Sequence, residues 1–281
     1  MNTEGKMRLA DEDVAFVRDL VRSEAAIVLD VENAYWVQAR LTPVARQRRL
    51  DSARRLIDEL RLRSKPRDLV AQVVDAMTTN ETAFFRDFAL FETLRTSVLP
   101  DLMARRSEKQ ELTVWCAAAS SGQEPYSLCM LLRAHFPELA TWNITCLASD
   151  VSSTMLKRAR AGQYTQLEVN RGLPASMLAQ FFEETDGAYG VIAAIRDLID
   201  FQQINLVREW PALPRFDLVL ARNVLMYFDP PTRGRLLQAF RHHVAPDGYF
   251  VLGRGELPPP GDGSFAPAGA GHPAVFRPAA G

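Results

Sequence analysis

From Leu112 onward, short apolar runs alternate with amphipathic stretches of helix length, and this alternation constrains the fold more than any other feature of the sequence. The runs occupy residues 112–118, 143–149, 198–201, 216–221 and 249–253. Short apolar runs separated by helical stretches are typical of parallel strands joined by crossover helices. We therefore predict a doubly wound α/β sheet, in which a ligand binds just beyond the carboxyl ends of the strands.

The first 77 residues carry a different pattern. Apolar residues such as Val14 and Val17 recur at helical spacing, and strand signals are almost absent. We predict a small all-α domain at residues 1–77, followed by a linker at residues 78–110 and the sheet domain at residues 111–281.

One connection in the sheet domain is too long for a simple crossover helix. It precedes the run at residues 198–201 and contains the turn dipeptide Asp186–Gly187 between two apolar segments. We predict an inserted antiparallel β subdomain at about residues 163–197. The Pro/Gly/Ala-rich tail from Pro258 onward has only one strand-like segment, residues 274–276, and we expect much of the tail to be mobile.

Composition and charge argue against several classes of function. The 281 residues carry a formal net charge of -1, which gives no general attraction to nucleic acid or to a membrane. No apolar stretch approaches the roughly 20 residues of a membrane-spanning helix, and residues 1–13 lack a signal-peptide core, so we expect a cytoplasmic protein without membrane insertion. Cys116, Cys129 and Cys146 lie in apolar segments without metal-ligand spacing, which predicts buried reduced thiols and no metal site.

Small and polar residues follow the first two runs, where a ligand is expected. The small residues of the loop at 117–122 let a backbone approach a ligand closely, although such a turn also serves tight packing alone. Asp150 follows the second run and can accept both hydroxyls of a ribose. The alternative role for Asp150 is a helix N-cap, which Ser152 or Ser153 can fill instead.

Two further pairs of residues follow the third and fourth runs. Asn205 and Leu206 offer an amide and an apolar side chain that suit an adenine. Asn223 and Val224 come after the fourth run, and Tyr227 follows Asn223 by four residues, so in a helix both side chains would face the same way. Tyr227 then orients a substrate, or else serves only in packing.

The most unusual segment lies in the linker, where residues 78–87 read TTNETAFFRD. Asn80 and Thr82 carry hydrogen-bonding groups, two adjacent phenylalanines follow, and Arg86 supplies a permanently charged fork that suits a carboxylate. We interpret this segment as part of a ligand site. The alternative is a helix cap with a buried aromatic pair and a solvated arginine.

The sequence lacks the residues that other common chemistries need. It contains no P-loop lysine and no Ser–His–Asp order, and its four histidines form no metal-ligand pattern. Hydrolysis and phosphoryl transfer are therefore poorly supported. A ribose-binding acid, an adenine pocket and an uncharged polar group beside an arginine suit a cofactor that carries its own reactivity, such as S-adenosyl-L-methionine.

Six motifs of the chain, taken together, resemble those of the chemotaxis receptor glutamate methyltransferases, the CheR-type family. They are TTNETAFFRD, AAASSGQEPYS, LASDVSS, RGLP, INL and ARNVLMYFD, and the resemblance covers nearly the whole chain. It implies a Rossmann-like class I methyltransferase sheet domain with an inserted antiparallel β subdomain, preceded by a helical domain that recognises receptors. It also implies methyl transfer from S-adenosyl-L-methionine to glutamate side chains of a chemoreceptor cytoplasmic domain, which leaves S-adenosyl-L-homocysteine.

The resemblance implies a set of site residues. The implied cofactor contacts are Asn80, Thr82, Arg86, Glu124, Asp150, Asn205, Leu206, Asn223 and Val224, and the implied pair near the transferred methyl group is Arg86 and Tyr227. Glu124 lies in the first helical turn after the loop, where it contacts the positive methionine end of the cofactor or only stabilises the helix N-terminus. Two departures from the family pattern concern the edge of the pocket. Residues 253–256 read GRGE where a histidine and a serine commonly precede the glutamate, and Gln123 replaces a frequent acid.

A basic segment is the candidate surface for the substrate. Residues 46–67 contain nine basic and three acidic residues. Arg48 and Arg55, like Arg54 and Arg61, are seven positions apart, so a helix would gather them into a stripe that can meet an acidic receptor helix. A solvated helix face is the alternative, and a nucleic-acid surface is a weaker one.

The resemblance also raises a peptide contact. In some members of the family the inserted β subdomain pairs its edge with a receptor C-terminal peptide, and the sequence does not show whether this happens here.

Two competing functions stay open at this point. They are a methyltransferase that acts on another acceptor and a non-catalytic signalling module that binds S-adenosyl-L-methionine. Base-labile methyl esters would distinguish the first from the glutamate enzyme.

Overall fold

The computed structural model of the protein describes residues 8–29, 33–62 and 66–279. Its chain divides into two compact units. One unit ends at Thr79 and also includes the short segment Tyr227–Asp229. The other unit comprises Asn80–Met226 and the residues from Pro230 onward.

Four helices make up the first unit in the described ranges. They are α1 (Asp11–Ala25), α2 (Ala34–Gln47), α3 (Ala53–Arg61) and α4 (Arg67–Met77). Each helix buries one apolar stripe, and in α3 this stripe is Leu56, Ile57 and Leu60, which are fully buried. At the start of α3 the side chain of Ser52 accepts the Arg55 N–H, as an N-cap residue does. The predicted all-α character of this region is confirmed.

The segment Tyr227–Asp229 belongs to the helical unit although it lies far along the chain. The N–H of Val28 donates to the carbonyl oxygen of Tyr227 at 2.8 Å. Arg22 also forms an ion pair with Asp229 at 3.4 Å. Position in the sequence assigns this segment to the sheet domain, whereas these long-range bonds assign it to the helices.

The basic segment does not form the continuous stripe that its spacing predicts. The helix α2 ends at Gln47 and α3 begins at Ala53, so Arg48 and Arg55 lie on no common helix. The other two basic positions near its end, Arg63 and Lys65, lie outside the described residues.

The second predicted pair of that stripe serves the interior of the helical unit. Arg54 and Arg61 lie on α3 and form ion pairs with Asp13 at 2.7 and 3.1 Å. The Asp13 side chain is fully buried, so its carboxylate needs these two cations. Arg54 and Arg61 therefore contribute to folding, which leaves less basic surface for a partner than the sequence predicts.

In its described residues the second unit has ten strands and eight further α-helices. The strands are β1 (Glu111–Ala117), β2 (Asn143–Asp150), β3 (Gln163–Thr165), β4 (Phe182–Thr185), β5 (Ala188–Val191), β6 (Ile199–Gln203), β7 (Phe216–Ala221), β8 (Val244–Leu252), β9 (Phe265–Pro267) and β10 (Val275–Pro278). The helices are α5 (Phe88–Thr93), α6 (Leu99–Arg106), α7 (Gln123–His135), α8 (Ser153–Ala161), α9 (Gln166–Val169), α10 (Ala175–Phe181), α11 (Ala193–Arg196) and α12 (Pro230–His243). No helix in the described part of the chain is long and apolar enough to cross a membrane.

The main sheet has seven strands in the order β6-β2-β1-β7-β8-β10-β9. The five strands from β6 to β8 run parallel, and β10 and β9 pair antiparallel at one edge. The strand order reverses between β1 and β7, which is where doubly wound sheets open a crevice for ligands. The predicted doubly wound α/β sheet is confirmed.

The C-terminal tail is more regular than its composition predicts. The strand near residues 274–276 is present as β10, but β9 is not visible in the local sequence pattern. It is held by contacts from elsewhere, since the Phe265 ring stacks on the Phe250 ring with centroids 4.2 Å apart. Likewise β8 begins at Val244, ahead of the apolar run that predicts it.

The inserted region forms a separate three-stranded sheet in the order β3-β5-β4. Its hairpin turns at Asp186 and Gly187, whose φ angles are 52° and 77°. Two consecutive positive φ values are what a tight two-residue hairpin turn requires, so the turn dipeptide predicts this hairpin correctly. The short strand β3 at the other edge is not predicted.

A cluster of ion pairs ties α6 to the amino ends of the strands, at the edge opposite the predicted ligand site. Arg106 donates to Asp217 of β7 at 2.7 Å and binds both oxygens of Asp247 in β8 at 2.7 and 2.8 Å. Asp217 also accepts the Thr113 N–H of β1 at 2.8 Å. One guanidinium thus joins a helix and two strands of the sheet, with β1 linked through Asp217.

We predict that Arg106→Met lowers the free energy of unfolding by about 2–3 kcal/mol at pH 7, measured by urea unfolding, because Asp217 loses its cation. The hydrogen bond from Arg106 lowers the pKa of Asp247 from 3.8 to about 2. The stabilisation is therefore present above about pH 4 and is lost as the pH falls toward 2, where Asp247 becomes neutral.

The control for this prediction is Arg105→Met, since the Arg105 side chain is 37% exposed and its nearest Asp247 contact is 3.9 Å. This substitution should cost less than about 1 kcal/mol. Equal losses for the two variants, or a loss at Arg106 that does not change with pH, would contradict the assignment.

Candidate functional site

The carboxyl ends of the central parallel strands meet at one edge of the main sheet. Ala117 of β1 is in register with Ser149 of β2, and Asp150 is in register with Gln203 of β6. On the other side of β1, Cys116 is in register with Leu220 of β7. The segments after these strands therefore leave the sheet side by side. Asp150 is the last residue of β2, and these segments contain the other predicted positions, Asn205, Leu206, Asn223 and Val224, together with the loop after Ala117.

The loop after β1 bends sharply. Ala118, Ser120 and Gly122 have φ angles of 59°, 51° and 94°. A Cβ atom at Gly122 would lie 3.0 Å from the Cβ of Ala159, so this glycine permits close packing of α8 on the loop. The alternative interpretation of this loop, that its small residues serve tight packing, is therefore correct for Gly122. The rest of the loop borders the strand ends.

Asp150 is buried and holds two backbone groups. Its Oδ2 accepts the Ser120 N–H and its Oδ1 accepts the Ser152 N–H, each at 2.8 Å. The Ser152 side chain caps α8 by accepting the Met155 N–H, as predicted. The Ser152 cap does not leave Asp150 without partners, because both of its carboxylate oxygens bind the backbone. A carboxylate has about four acceptor positions, so these two backbone bonds do not by themselves exclude a ligand hydroxyl.

The segment after β6 is fixed next to Asp150. The N–H of Ile204 donates to the carbonyl oxygen of Asp150 at 3.1 Å. The side-chain oxygen of Asn205 accepts the Val207 N–H at 3.1 Å, so the amide helps to turn the chain. Leu206 is buried, and its apolar side chain follows directly on this turn.

The segment after β7 turns at Asn223, which has a φ of 56°. A short 3-10 helix follows at Leu225–Tyr227. The condition for Asn223 and Tyr227 to share one face, a continuous α-helix, is therefore not met.

Glu256 supports this turn, and sequence reasoning missed its role. Its Oε2 accepts the N–H groups of Asn223 and Gly253 at 2.6 and 2.8 Å, and its Oε1 accepts the Met226 N–H at 3.2 Å. A Cβ atom at Gly253 would lie 2.6 Å from both the Glu256 carboxylate and the Asn223 amide nitrogen. Residues 253–256, which depart from the family pattern, therefore keep Glu256, which holds the turn. They also have glycine at position 253, where a side chain would collide with Glu256 and Asn223.

Arg222 is buried in the protein, although arginine is a residue type that lies mostly at the surface. Its side chain is 2% exposed and pairs with Glu124 at 2.6 Å. Its other terminal nitrogen donates to the carbonyl oxygen of Arg86 at 2.7 Å. Its Nε atom is buried without a hydrogen-bond partner among the described residues. Arg222 thus links the segment after β7 to α7 and to the linker.

Glu124 lies in the first turn of α7, where a carboxylate also interacts favourably with the helix N-terminus. Burial raises the pKa of Glu124, and the charges of Arg222 and Arg86 oppose this rise. Arg222 occupies Oε2, whereas Oε1 accepts no hydrogen bond from any residue in the described ranges. That oxygen can therefore receive a cationic group of a ligand.

The linker segment divides into a structural part and an exposed part. Phe84 is fully buried, with its ring edge-on to Tyr164 and Phe182 at centroid distances of 4.9 and 5.6 Å. The Phe85 N–H donates to the Ser127 hydroxyl at 2.9 Å. For the two phenylalanines, the alternative interpretation of a buried aromatic pair is therefore correct.

The polar residues of the same segment lie around this anchor. The carbonyl oxygen of Asn80 accepts the Ser120 hydroxyl at 3.1 Å, which joins the linker to the β1 loop. Thr82 is half-buried. Arg86 is exposed, and its guanidinium donates to the carbonyl oxygen of Glu81 at 3.0 Å. The linker therefore contributes backbone and side-chain groups to the same edge of the sheet.

The RGLP motif at residues 171–174 packs against this linker segment. A Cβ atom at Gly172 would lie 2.2 Å from the Phe84 carbonyl oxygen, and Gly172 has a φ of 92°, so only glycine fits there. Arg171 beside it forms an exposed ion pair with Glu81 at 3.6 Å. The inserted region therefore packs directly on the segment that carries Arg86.

The three cysteines are buried and form no disulfide, as predicted; they are Cys116, Cys129 and Cys146. In residues 8–29, 33–62 and 66–279, no group of three or more His, Cys, Asp or Glu side chains is placed to hold a metal ion.

Known proteins match the chain along most of its length. The family model described as CheR methyltransferase, SAM binding domain, matches residues 80–268. A chemotaxis protein methyltransferase 1 of Pseudomonas aeruginosa is 36% identical over 255 residues, which cover 89% of this chain and 92% of that protein. A protein of the same name from Vibrio cholerae is 35% identical over 252 residues, with 88% and 90% covered. The chemotaxis protein methyltransferase Cher2 of Pseudomonas putida is 36% identical over 256 residues, with 89% and 92% covered.

The residues at the sheet edge fit S-adenosyl-L-methionine, which the family model names as ligand. This cofactor has ribose hydroxyls, an ammonium group, a carboxylate and an apolar purine face. The buried carboxylate of Asp150 suits the hydroxyls, and Oε1 of Glu124 suits the ammonium group. The Nε–H of Arg222, which has no partner in the described residues, is a donor that suits the carboxylate of the cofactor. The bound cofactor supplies the activated methyl group.

We predict that Arg222→Met lowers the free energy of unfolding by about 3–5 kcal/mol, because Glu124 loses its partner in a buried position. Urea unfolding of Arg222→Met, Glu124→Gln and the double variant would measure the coupling. The double variant should be more stable than Arg222→Met, since it removes the unpaired carboxylate. Additive losses would show that the two side chains are not coupled.

Proposed function

Because the chain belongs to the family of CheR methyltransferases, we propose that it transfers a methyl group from S-adenosyl-L-methionine to glutamate side chains of a chemoreceptor cytoplasmic domain. The products are glutamate γ-methyl esters and S-adenosyl-L-homocysteine. The observation that carries this proposal is the similarity to proteins named chemotaxis protein methyltransferase over 88–89% of the chain. The glutamate acceptor and the receptor are the part that goes beyond the family assignment.

In this proposal the sheet edge binds the cofactor. Asp150 accepts the ribose hydroxyls, and its two backbone bonds keep the carboxylate in a fixed orientation. Leu206 covers one face of the adenine, with Asn205 beside it. Glu124 receives the ammonium group at the methionine end, where Arg222 holds it in place.

The remaining proposed contacts close the site from two sides. Asn80 and Thr82 contribute from the linker, which the Ser120 hydroxyl bonds to the β1 loop. Asn223 and Val224 contribute from the turn that Glu256 supports. Both segments are held by hydrogen bonds within the protein, so the cofactor meets groups that are already positioned.

The chemistry needs alignment more than proton transfer. A glutamate side chain has an ordinary pKa near 4.3, so at pH 7 it is already the anion that attacks the methyl carbon, and no general base is required. The C–S bond breaks as the O–C bond forms, and the electron pair stays on sulfur. Holding oxygen, carbon and sulfur in line can contribute about 7–11 kcal/mol.

We assign Arg86 and Tyr227 to the orientation of the glutamate carboxylate. Arg86 is exposed, and its contact with the Glu81 carbonyl oxygen limits where the guanidinium can lie. An exposed guanidinium orients an anion without fully neutralising it, which preserves nucleophilicity. The role of Tyr227 rests on the family resemblance alone.

The inserted sheet offers a surface for a receptor tail. Its order, β3-β5-β4, leaves β4 as an edge strand. An extended peptide can add to such an edge through backbone hydrogen bonds. Glu183 and Glu184 on β4 are exposed, so a peptide with basic side chains would suit this edge better than an acidic one. We propose this peptide contact as an accessory to the methyl transfer.

The proposed reaction is tested by incubating the protein with methyl-labelled S-adenosyl-L-methionine and receptor cytoplasmic fragments. We expect label on the receptor fragment and its release as methanol in mild base, because carboxyl methyl esters are base-labile and N-methyl groups are not. Label that survives alkali in full would indicate another acceptor. A complete absence of labelled receptor, with cofactor binding intact, would support a non-catalytic module.

Arg86→Ala should lower the rate of labelling at least tenfold without lowering the melting temperature, because the substrate carboxylate loses its orienting cation. Arg171→Ala is the matched control, since Arg171 is also an exposed arginine that contacts Glu81. It should leave the rate within about twofold. Equal rates for Arg86→Ala and the wild type would remove Arg86 from the proposed site.

Asp150→Ala should weaken the binding of S-adenosyl-L-homocysteine by about 10–100-fold, because charged hydrogen bonds contribute roughly 1.5–3 kcal/mol. Calorimetric titration measures this affinity. Asp200→Ala, at an exposed aspartate of β6, is the control and should bind normally. Unchanged affinity in Asp150→Ala would reject the ribose assignment.

A further inference from the structure

A groove on one face of the main sheet lies beside the proposed cofactor site and shares only Leu206 with it. It has a volume of about 510 Å³ and lies between α12 and the segment that connects β6 to β7. Leu206 and Thr232 line it, and they follow the carboxyl ends of β6 and β7. At its other end lie Leu213 and His243, which precede β7 and β8. The groove therefore begins beside the cofactor edge, at Leu206, and runs along the sheet face away from it.

The helix side of the groove is one continuous face of α12. Thr232, Arg235, Leu236, Ala239 and His242 recur every three or four positions, as residues on one helix face do. This face spans roughly 15 Å at 1.5 Å per residue. The groove is thus long enough for a small organic molecule and has the volume of ordinary ligand pockets, which is about 300–1,000 Å³.

The groove combines an aromatic wall with positive charge. Trp210 lines it, and its ring lies against that of His243 with centroids 5.3 Å apart. Arg208 and Arg235 also line it, and no carboxylate does. Burial lowers the pKa of His243, and the charges of His242 and Arg215 act in the same direction.

The aromatic wall is held rigidly, which favours a preformed site. The Trp210 indole N–H donates to the Leu206 carbonyl oxygen at 3.0 Å. The Trp210 ring also lies edge-on to Trp115 at 5.0 Å and packs on Phe240 at 5.1 Å. Since the ring is fixed by these contacts, a ligand that packs on it does not have to order it first.

We propose that this groove is a second ligand site, which binds a planar aromatic anion of mononucleotide size. The aromatic and aliphatic wall contacts the ring, and Arg208 and Arg235 bind the anionic group, since guanidinium forks pair with phosphate or carboxylate in two-point contacts. The site is separate from the one in which Glu124 and Asp150 hold the cofactor.

Calorimetric titration of GMP into the full-length protein, saturated with S-adenosyl-L-homocysteine, tests this proposal. The saturating nucleoside keeps GMP out of the cofactor site. We expect saturable binding with one GMP per chain. Guanosine should bind at least about tenfold more weakly because it lacks the charge that the arginines pair with. Inorganic phosphate should also bind at least about tenfold more weakly because it lacks the ring.

The variants locate the site. Arg208→Gln/Arg235→Gln should reduce GMP affinity at least about tenfold. Arg241→Gln is the control, since Arg241 is on α12 but donates to the Ala279 carbonyl oxygen and does not line the groove. The proposal is overturned if GMP shows no saturable binding at 10 mM, if guanosine or phosphate binds as well as GMP, or if the double variant binds like Arg241→Gln. Thermal melts of both variants check that they are folded.

Discussion

The candidate site depends on a buried cation that must find its partners inside the protein. Arg222 directly follows β7, and its side chain is 2% exposed, so its charge is matched by protein groups and not by water. The Glu124 carboxylate comes from α7, and the Arg86 carbonyl oxygen comes from the linker. Three separate parts of the chain are thereby held at one edge of the sheet before a ligand binds, which is how rigid binding sites are built.

The elements that the sequence predicts well are those whose cause is local. Strands buried on both faces leave short apolar runs, and β1, β2, β6 and β7 are found where those runs occur. The dipeptide Asp186–Gly187 predicts the inserted hairpin, because few residue types adopt the positive φ angles of its turn. The sheet, its inserted hairpin and the helical N-terminal region follow from such patterns.

The features that the sequence hides depend on residues far apart in the chain. Arg222 and Glu124 are separated by 98 positions, so no local pattern indicates that the arginine is buried. Glu256 supports a turn 33 positions earlier, and Asp150 accepts an N–H from a loop 30 positions earlier. For the same reason the sequence overestimates the basic surface of residues 46–67, since Arg54 and Arg61 pair with Asp13 on another helix. Residue type indicated the site, and only the tertiary contacts show what each group already binds.

S-adenosyl-L-methionine is proposed to occupy the switch-point edge of the sheet, and a crystal structure of the protein with S-adenosyl-L-homocysteine decides whether it does. We predict ribose hydroxyls within hydrogen-bonding distance of Asp150, adenine against Leu206 and the amino group at Glu124. Nucleoside density at any other place, or an empty edge at saturating concentration, would contradict the account.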